Sequence, residues 1–329
     1  MKDILQKLYD HKKLTRAEAK QTLTEISAGQ YNPVEIASFI TVYQMRPIAL
    51  AELEGFRDAL LELCVPLDVQ GQETIDVVGT GGDYKDTFNI STLSAVVVAG
   101  AGYKVTKHGS YGSSSAVGSS NVLQTLGYAF TNDGDTLRRQ LDAANLCFLH
   151  APLFHPALKE VVPVRKELGM RTFFNILGPL VNPVQPTHQL YGTSSQALSR
   201  MYHYIMQPTG RRFAIVYALD GYDEISLTGK FKVQTNEGER VLEPQDLGKP
   251  QLQQSDLHGG GTPEKAAEIF WNVLKNEATP AQKAVVTANA GMAIHTFKPE
   301  VSLQDCMLEA EASIESGRAL SNFKRILNV

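Results

Sequence analysis

Two loops and one acidic pair hold the residue types from which chemistry could be built. Residues 76–92 read DVVGTGGDYKDTFNIST. An apolar run ends at Val78, three glycines follow (Gly79, Gly81, Gly82), and Asn89, Ile90, Ser91 and Thr92 open an Ala/Val-rich segment. Glycines let backbone N–H groups approach a ligand closely, and a helix N-terminus adds a dipole that favours an anion. Residues 107–120, KHGSYGSSSAVGSS, repeat this logic with a cation at Lys107, glycines, many hydroxyl and N–H donors, and a helix start near Ser119. By composition that stretch would pass for a flexible spacer. A spacer between folded domains, however, seldom lies between a strand and the helix that follows it. The third feature is Asp220-Gly221-Tyr222-Asp223-Glu224, just after an apolar run. Adjacent carboxylates at a strand end suit a hard cation such as Mg²⁺, which takes one or two carboxylates together with substrate phosphates. Each feature alone has a bland structural explanation. Together they describe a site for a phosphorylated, metal-chelating ligand. Neither a P-loop nor a G-x-G-x-x-G fingerprint is present, so a nucleoside triphosphate or dinucleotide is not indicated.

These loops need elements to hold them. From residue 74 short β-branched runs alternate with helical stretches. Strands are expected over 75–78, 103–106, 146–149 and 213–218, and a hairpin over 231–242 turning at Asn236-Glu237-Gly238. Helices are expected over 91–101, 119–127, 134–145, 155–168 and 194–207. In an open α/β sheet successive strand ends lie side by side, so both donor-rich loops should face one ligand. The chain before residue 66 reads as helices alone. Thr15 with Glu18 makes a capping box, Asn32-Pro33 with Glu35 starts a second helix, and a third runs from about 49 to 64 before Pro66. The C-terminal third returns to helices started by Thr262-Pro263, Thr279-Pro280 and Ser302. The expected class is α/β: a small helical N-terminal domain over 1–66, joined by part of 155–185, and a larger α/β domain over 67–329 with a central, mostly parallel sheet.

Composition narrows the partners. A formal net charge of −4 over 329 residues leaves no basic footprint for nucleic acid. Cys64, Cys147 and Cys306 are far apart and lack metal-ligand spacing, which fits a reducing cytoplasm. The opening MKDILQKLYDHKK has no apolar core of a signal peptide, and no apolar run is long enough to span a bilayer. A cytoplasmic protein acting on small molecules, with neither nucleic acid nor membrane as partner, is expected.

Five segments carry a resemblance. GTGGD at 79–83, NIST at 89–92, KHG at 107–109, VRKELGMRTFFNILGPLVNP at 164–183 and DGYDEIS at 220–226 resemble, in order and spacing, the anthranilate phosphoribosyltransferase family. The resemblance covers essentially the whole chain. It implies transfer of a phosphoribosyl group from 5-phosphoribosyl-1-diphosphate (PRPP) to the amine of anthranilate in tryptophan biosynthesis. It also implies a nucleoside-phosphorylase-like fold, Mg²⁺ as cofactor, and a homodimer packed through the helical domain. Position by position, it implies that Gly79, Gly82, Asp83, Thr87, Asn89, Ile90, Ser91 and Thr92 hold PRPP. Lys107, His108, Gly109, Ser110, Tyr111, Gly112, Ser113, Ser114, Ser115 and Ser119 would close over the same ligand. Ser91, Asp223 and Glu224 would serve the metal, and Arg165, Gly79 and Ser110 would contact anthranilate. Lys107, and His108 as the one histidine in a matched motif, are the catalytic candidates.

The chain also departs from the family pattern. Ser110 and Tyr111 stand where asparagine and arginine are usual, Asn121 and Gln124 where aspartate and glutamate are usual, and Val117 where serine is. These changes bear on the acceptor side. Two alternatives stay open on the same fold: a transferase for another aromatic amine, and a pyrimidine nucleoside phosphorylase. A phosphorylase uses inorganic phosphate and has less need of the Asp223-Glu224 pair. A non-catalytic anion- or nucleic-acid-binding relative is disfavoured by the mild acidity and the complete metal positions.

Overall fold

Four helices open the chain: α1 (Lys2–Tyr9), α2 (Arg16–Ser27), α3 (Pro33–Met45) and α4 (Leu50–Leu63). The computed structural model describes residues 1–112 and 117–328. Capping sets two of the starts. Thr15 accepts from the Glu18 N–H while the Glu18 carboxylate takes the Thr15 N–H, and Asn32 with Glu35 repeats the exchange. No side-chain cap announces α1. Phe39, Tyr43 and Phe56 close on one another as an aromatic cluster joined by Phe173. Glu52 is wholly buried beside them. Its carboxylate accepts from Arg46 through both terminal nitrogens and from the Leu14 and Ala49 N–H groups, so the buried charge is fully paired.

The next stretch builds half of a sheet: β1 (Ile75–Gly79), α5 (Ile90–Ala101), β2 (Val105–Gly109), α6 (Ser119–Thr125), α7 (Gly134–Ala144) and β3 (Leu146–His150). β2 runs three residues past the expected strand. Lys107, His108 and Gly109 pair with Phe148, Leu149 and His150 of β3, so they belong to the sheet and not to the loop. A polar side chain near a strand end hid this pairing from periodicity.

The chain then passes through α8 (Ala151–Phe154) and α9 (Val161–Leu168). The single helix expected over 155–168 is broken, because Pro156 starts a separate 3₁₀ turn. By backbone proximity, Met1–Leu67 and Ala151–Pro183 form one unit, and Asp68–His150 with Val184–Val329 form the other. In the first unit His155 is 3% exposed, and burial pulls its pKa down to about 4 from 6.5. The neutral ring is the folded form, so this contribution to stability is complete above pH 6.5 and is lost as pH falls through about 4. Up to roughly 3 kcal/mol disappears over that window, at about 1.4 kcal/mol per pH unit. His155→Gln should therefore flatten the dependence of Tm on pH between those values; an unchanged slope would show that another group controls acid unfolding.

The second unit is completed by β4 (His188–Gly192), α10 (Gln196–Met206), β5 (Arg212–Ala218), β6 (Phe231–Thr235) and β7 (Gly238–Leu242), then α11 (Pro263–Leu274), α12 (Pro280–Phe297), α13 (Leu303–Glu315) and α14 (Arg318–Ile326). The seven strands lie in the order β3-β2-β1-β4-β5-β6-β7. The first five are parallel, and β6 and β7 form the expected hairpin. β4 lacks a sequence signature, since it opens on His188 and Gln189 instead of an apolar run. Alternation assigns the two faces. Leu190, Ala214 and Val216 join the core with α5 and α12, whereas Tyr191 and Phe213 meet Tyr202 and His203 of α10. Both faces of the sheet are covered, as a mainly parallel sheet requires.

Candidate active site

Strand order reverses between β1 and β4. From β1 the chain moves outward to β2 and β3 on one side, and β4 leads to β5 on the other. The carboxyl ends at such a reversal form the crevice in which ligands bind. Both strands end there in glycine, for a steric reason. A Cβ on Gly79 would overlap the Asp223 carboxylate, and one on Gly192 would overlap the Asp223 carbonyl oxygen. The acidic turn after β5 is thus seated directly on the two strand ends.

Backbone donors aim the two acids. Asp223 Oδ2 accepts from the Gly81 N–H at 2.6 Å, and Glu224 Oε1 accepts from the Ser91 N–H at 3.0 Å. Ser91 lies in the first turn of α5, where the dipole favours an anion. Asp223 and Glu224 are 6% and 9% exposed. Burial pushes both carboxyls above the ordinary range, and repulsion from Asp83, and from Asp223 in the case of Glu224, adds to it. Asp83 accepts from the Lys85 N–H with one oxygen, while its buried Oδ2 has no hydrogen-bond partner among the described residues. Lys107 is buried beneath this group with Nζ donating to the Val77 carbonyl at 2.5 Å. Desolvation lowers its pKa, opposed by Asp76, Glu224 and Asp223.

A magnesium ion fits this donor set. The oxygens are hard, the acids are short of positive partners, and the orphaned Asp83 oxygen is a spare acceptor. Among the described residues no group of three or more His, Cys, Asp or Glu could hold a metal unaided.

The loop after β1 is bent by left-handed residues: Gly81, Gly82, Tyr84 and Asp86 all have φ between 50° and 73°. The two non-glycine positions carry strain of ~1 kcal/mol or more each, which persists where surroundings enforce it. A distant segment does so here. Thr87 bridges His258, the Phe88 N–H donates to Leu257, the Gly259 N–H donates to Asp86, and His258 Nε2 lies 3.0 Å from the Asp86 carboxylate. Ile90 and Thr92 are fully buried, backbone included, and the Ile90 N–H donates to the Phe88 carbonyl. His108 is also buried, and its N–H donates to the Asp76 carboxylate.

The second loop is pinned at its base. Ser110 O accepts from Ser120 N and Ser119 Oγ, and Asn121 Oδ1 accepts from both Gly112 N and Gly118 N at 3.0 Å. Asn121 closes the loop with its carbonyl oxygen, so an aspartate is not needed for that task. Gly109 leaves room for Ser119 Oγ. Tyr111 stands edge-on to His150, whose ring stacks on Phe130 and meets the Ser120 hydroxyl. Ser113, Ser114 and Ser115 lie outside the described residues.

Arg165 belongs to the first unit, Gly79 and Ser110 to the second. It lies on α9, half-buried, with Nη2 donating to Asn175 Oδ1 at 3.1 Å and the guanidinium 5.5 Å from the Phe174 ring centre. Nε has no hydrogen-bond partner, and no carboxylate pairs with Arg165, among the described residues. An exposed surface arginine would look different. Sequence reasoning overlooked Gly192, the 257–259 brace and Asn289, described below. A glycine closing a strand, as at Gly79, was the available signal for Gly192.

Comparison with known proteins agrees with this geometry. Residues 71–320 match the family model described as glycosyl transferase family, a/b domain, and residues 2–64 match the companion helical bundle domain. An anthranilate phosphoribosyltransferase from Cytophaga hutchinsonii is 58% identical over 99% of both chains. The crystal structure of that enzyme from Thermus thermophilus superposes with a TM-score of 0.91 at 31% identity, covering 98% of each chain. The Saccharomyces cerevisiae enzyme in complex with PRPP and Mg gives 0.91 at 27% identity, covering 98% of this chain and 96% of the other.

Proposed function

The chain belongs to the anthranilate phosphoribosyltransferase family, and from that premise we propose that it transfers the phosphoribosyl group of PRPP to the amine of anthranilate, releasing diphosphate. The observation that carries the reading is the buried Asp223-Glu224 pair, seated on Gly79 and Gly192 and aimed by the Gly81 and Ser91 N–H groups. A phosphorylase acting with inorganic phosphate would have little use for it.

In the reaction the bond from ribose C1 to diphosphate breaks, a bond from the amine nitrogen to C1 forms, and the amine then loses a proton. Asp223, Glu224 and the Ser91 hydroxyl, together with the substrate's oxygens, would hold Mg²⁺, which would supply neutralisation of the leaving charge. The glycine loop and the first turn of α5 present N–H donors to the diphosphate, and the buried Lys107 adds positive potential beneath them. The arylamine is already a neutral nucleophile, so no general base is assigned. Holding it against C1 supplies much of the remaining rate. Purified protein given PRPP, Mg²⁺ and anthranilate should consume anthranilate, seen as loss of its fluorescence. No loss at millimolar anthranilate would refute the acceptor.

Ser110 tunes that acceptor. Serine is shorter than asparagine and offers fewer hydrogen bonds, and one lost bond to a neutral partner costs about 0.5–1.5 kcal/mol, roughly three- to tenfold in affinity. Ser110→Asn is expected to lower the KM for anthranilate by that factor and leave the KM for PRPP unchanged. If it does not, Ser110 and Tyr111 shape a pocket for a different aromatic amine.

The protein acts as a homodimer. α1, α3 and α9 line an apolar groove of about 1030 Å³, with Tyr9, Val34 and Met45 55%, 75% and 85% exposed. Such a patch marks an association surface, and a second copy of the same helices can cover it by two-fold symmetry. Val34→Glu with Met45→Glu should yield monomers by light scattering; a parent protein that is monomeric at micromolar concentration would refute the dimer.

A further inference from the structure

We propose that Asn289 is a positioning residue for the metal-binding acids: from α12 it clamps the peptide groups of Ile225 and so fixes where the Glu224 carboxylate points. Asn289 is 3% exposed on a helix whose neighbouring positions are Val285, Val286, Ala288, Ala290 and Met292. An asparagine is a poor choice there, because it favours non-helical backbone and must be desolvated. Its amide is nevertheless well satisfied. Oδ1 accepts from the Ile225 N–H at 3.0 Å, and Nδ2 donates to the Ile225 carbonyl and to the Val285 carbonyl, both at 2.9 Å.

Ile225 depends on that amide. It lies in an irregular turn between Gly221 (φ 96°) and Leu227 (φ 59°), outside any strand or helix. Among the described residues its N–H and C=O have no hydrogen-bond partner other than Asn289. The residue before it is Glu224. Asn289 therefore holds the peptide that carries the acid, across 64 positions of sequence.

The same helix also steadies the other end. Ser94 of α5 donates to the Ile90 carbonyl and reaches the Val286 carbonyl of α12 at 3.4 Å. α5 supplies the Ser91 N–H that Glu224 accepts. One helix thus ties together the turn that carries the acid and the turn that receives it. An alanine or leucine would serve packing alone; the paired amide specifies direction.

This inference rests on the assignment of Asp223 and Glu224 to the metal. The test is Mn²⁺ binding in the presence of PRPP, followed by electron paramagnetic resonance, on the full-length parent, Asn289→Ala, the volume-conserving Asn289→Asp, and Glu224→Ala as control. Asn289→Asp keeps an acceptor for the Ile225 N–H but loses both donors at neutral pH. Both Asn289 variants are expected to weaken Mn²⁺ binding about tenfold, the scale of one or two lost hydrogen bonds. The KM for anthranilate should stay within about twofold of the parent value, and excess Mg²⁺ should restore much of kcat. Glu224→Ala should not be restored. Parent-like Mn²⁺ binding in either folded Asn289 variant, even with a lowered Tm, overturns the proposal and leaves the acid assignment intact. A parent that binds no Mn²⁺ with PRPP overturns both.

Discussion

Replacing Asp223 and Glu224 together by alanine is expected to remove turnover, with kcat/KM falling on the order of 10³-fold or more, while the fold persists. Both acids are buried and both are pushed toward the protonated form by burial and by repulsion from neighbouring acids. Their burial is therefore a cost to the folded state, and removing them relieves it. The donors they leave behind, the Gly81 and Ser91 N–H groups, belong to an exposed and a half-buried residue, so water can take the place of the carboxylates. Circular dichroism and Tm should stay near the parent values as activity vanishes. A double variant that remains active at saturating PRPP and Mg²⁺ would sink the metal assignment.

Arg165→Ala is expected to raise the KM for anthranilate about 10- to 100-fold and to move the KM for PRPP by less than twofold. A hydrogen bond to a charged group is worth ~1.5–3 kcal/mol, which sets that range. The guanidinium is half-buried, planted against Phe174, tied to Asn175 by one nitrogen, and has no carboxylate paired to it among the described residues. Desolvation already disfavours its charge, so an incoming carboxylate would be bound strongly. Arg165→Lys should recover little, because an ammonium cannot reproduce the planar fork. Equal shifts in both constants would assign Arg165 to structure instead.

What the sequence determined by itself was local. The Thr15/Glu18 and Asn32/Glu35 capping boxes, the Thr-Pro starts of α11 and α12 and the hairpin turn at Asn236-Glu237-Gly238 are exchanges within a few residues, legible without knowing the fold. The glycine-rich loop, the serine-rich loop and the acidic pair were legible for the same reason, since their chemistry is written in adjacent residues. Tertiary structure decided what those residues meet. Gly81 and Asp223 are 142 positions apart, and Ser91 and Glu224 133 apart, and they meet because strand order reverses between β1 and β4. Gly192 is required because the Asp223 carbonyl, from the turn after β5, occupies the space of its side chain. β4 went unseen because a central strand with both faces covered can bury polar residues, and this one opens on the buried His188 and Gln189, which erases the apolar period. Asn289 was invisible for the same physical reason: a helix interior gives no sign of which distant peptide a buried amide will clamp, and only the packing of α12 against the 220–228 turn supplies that partner.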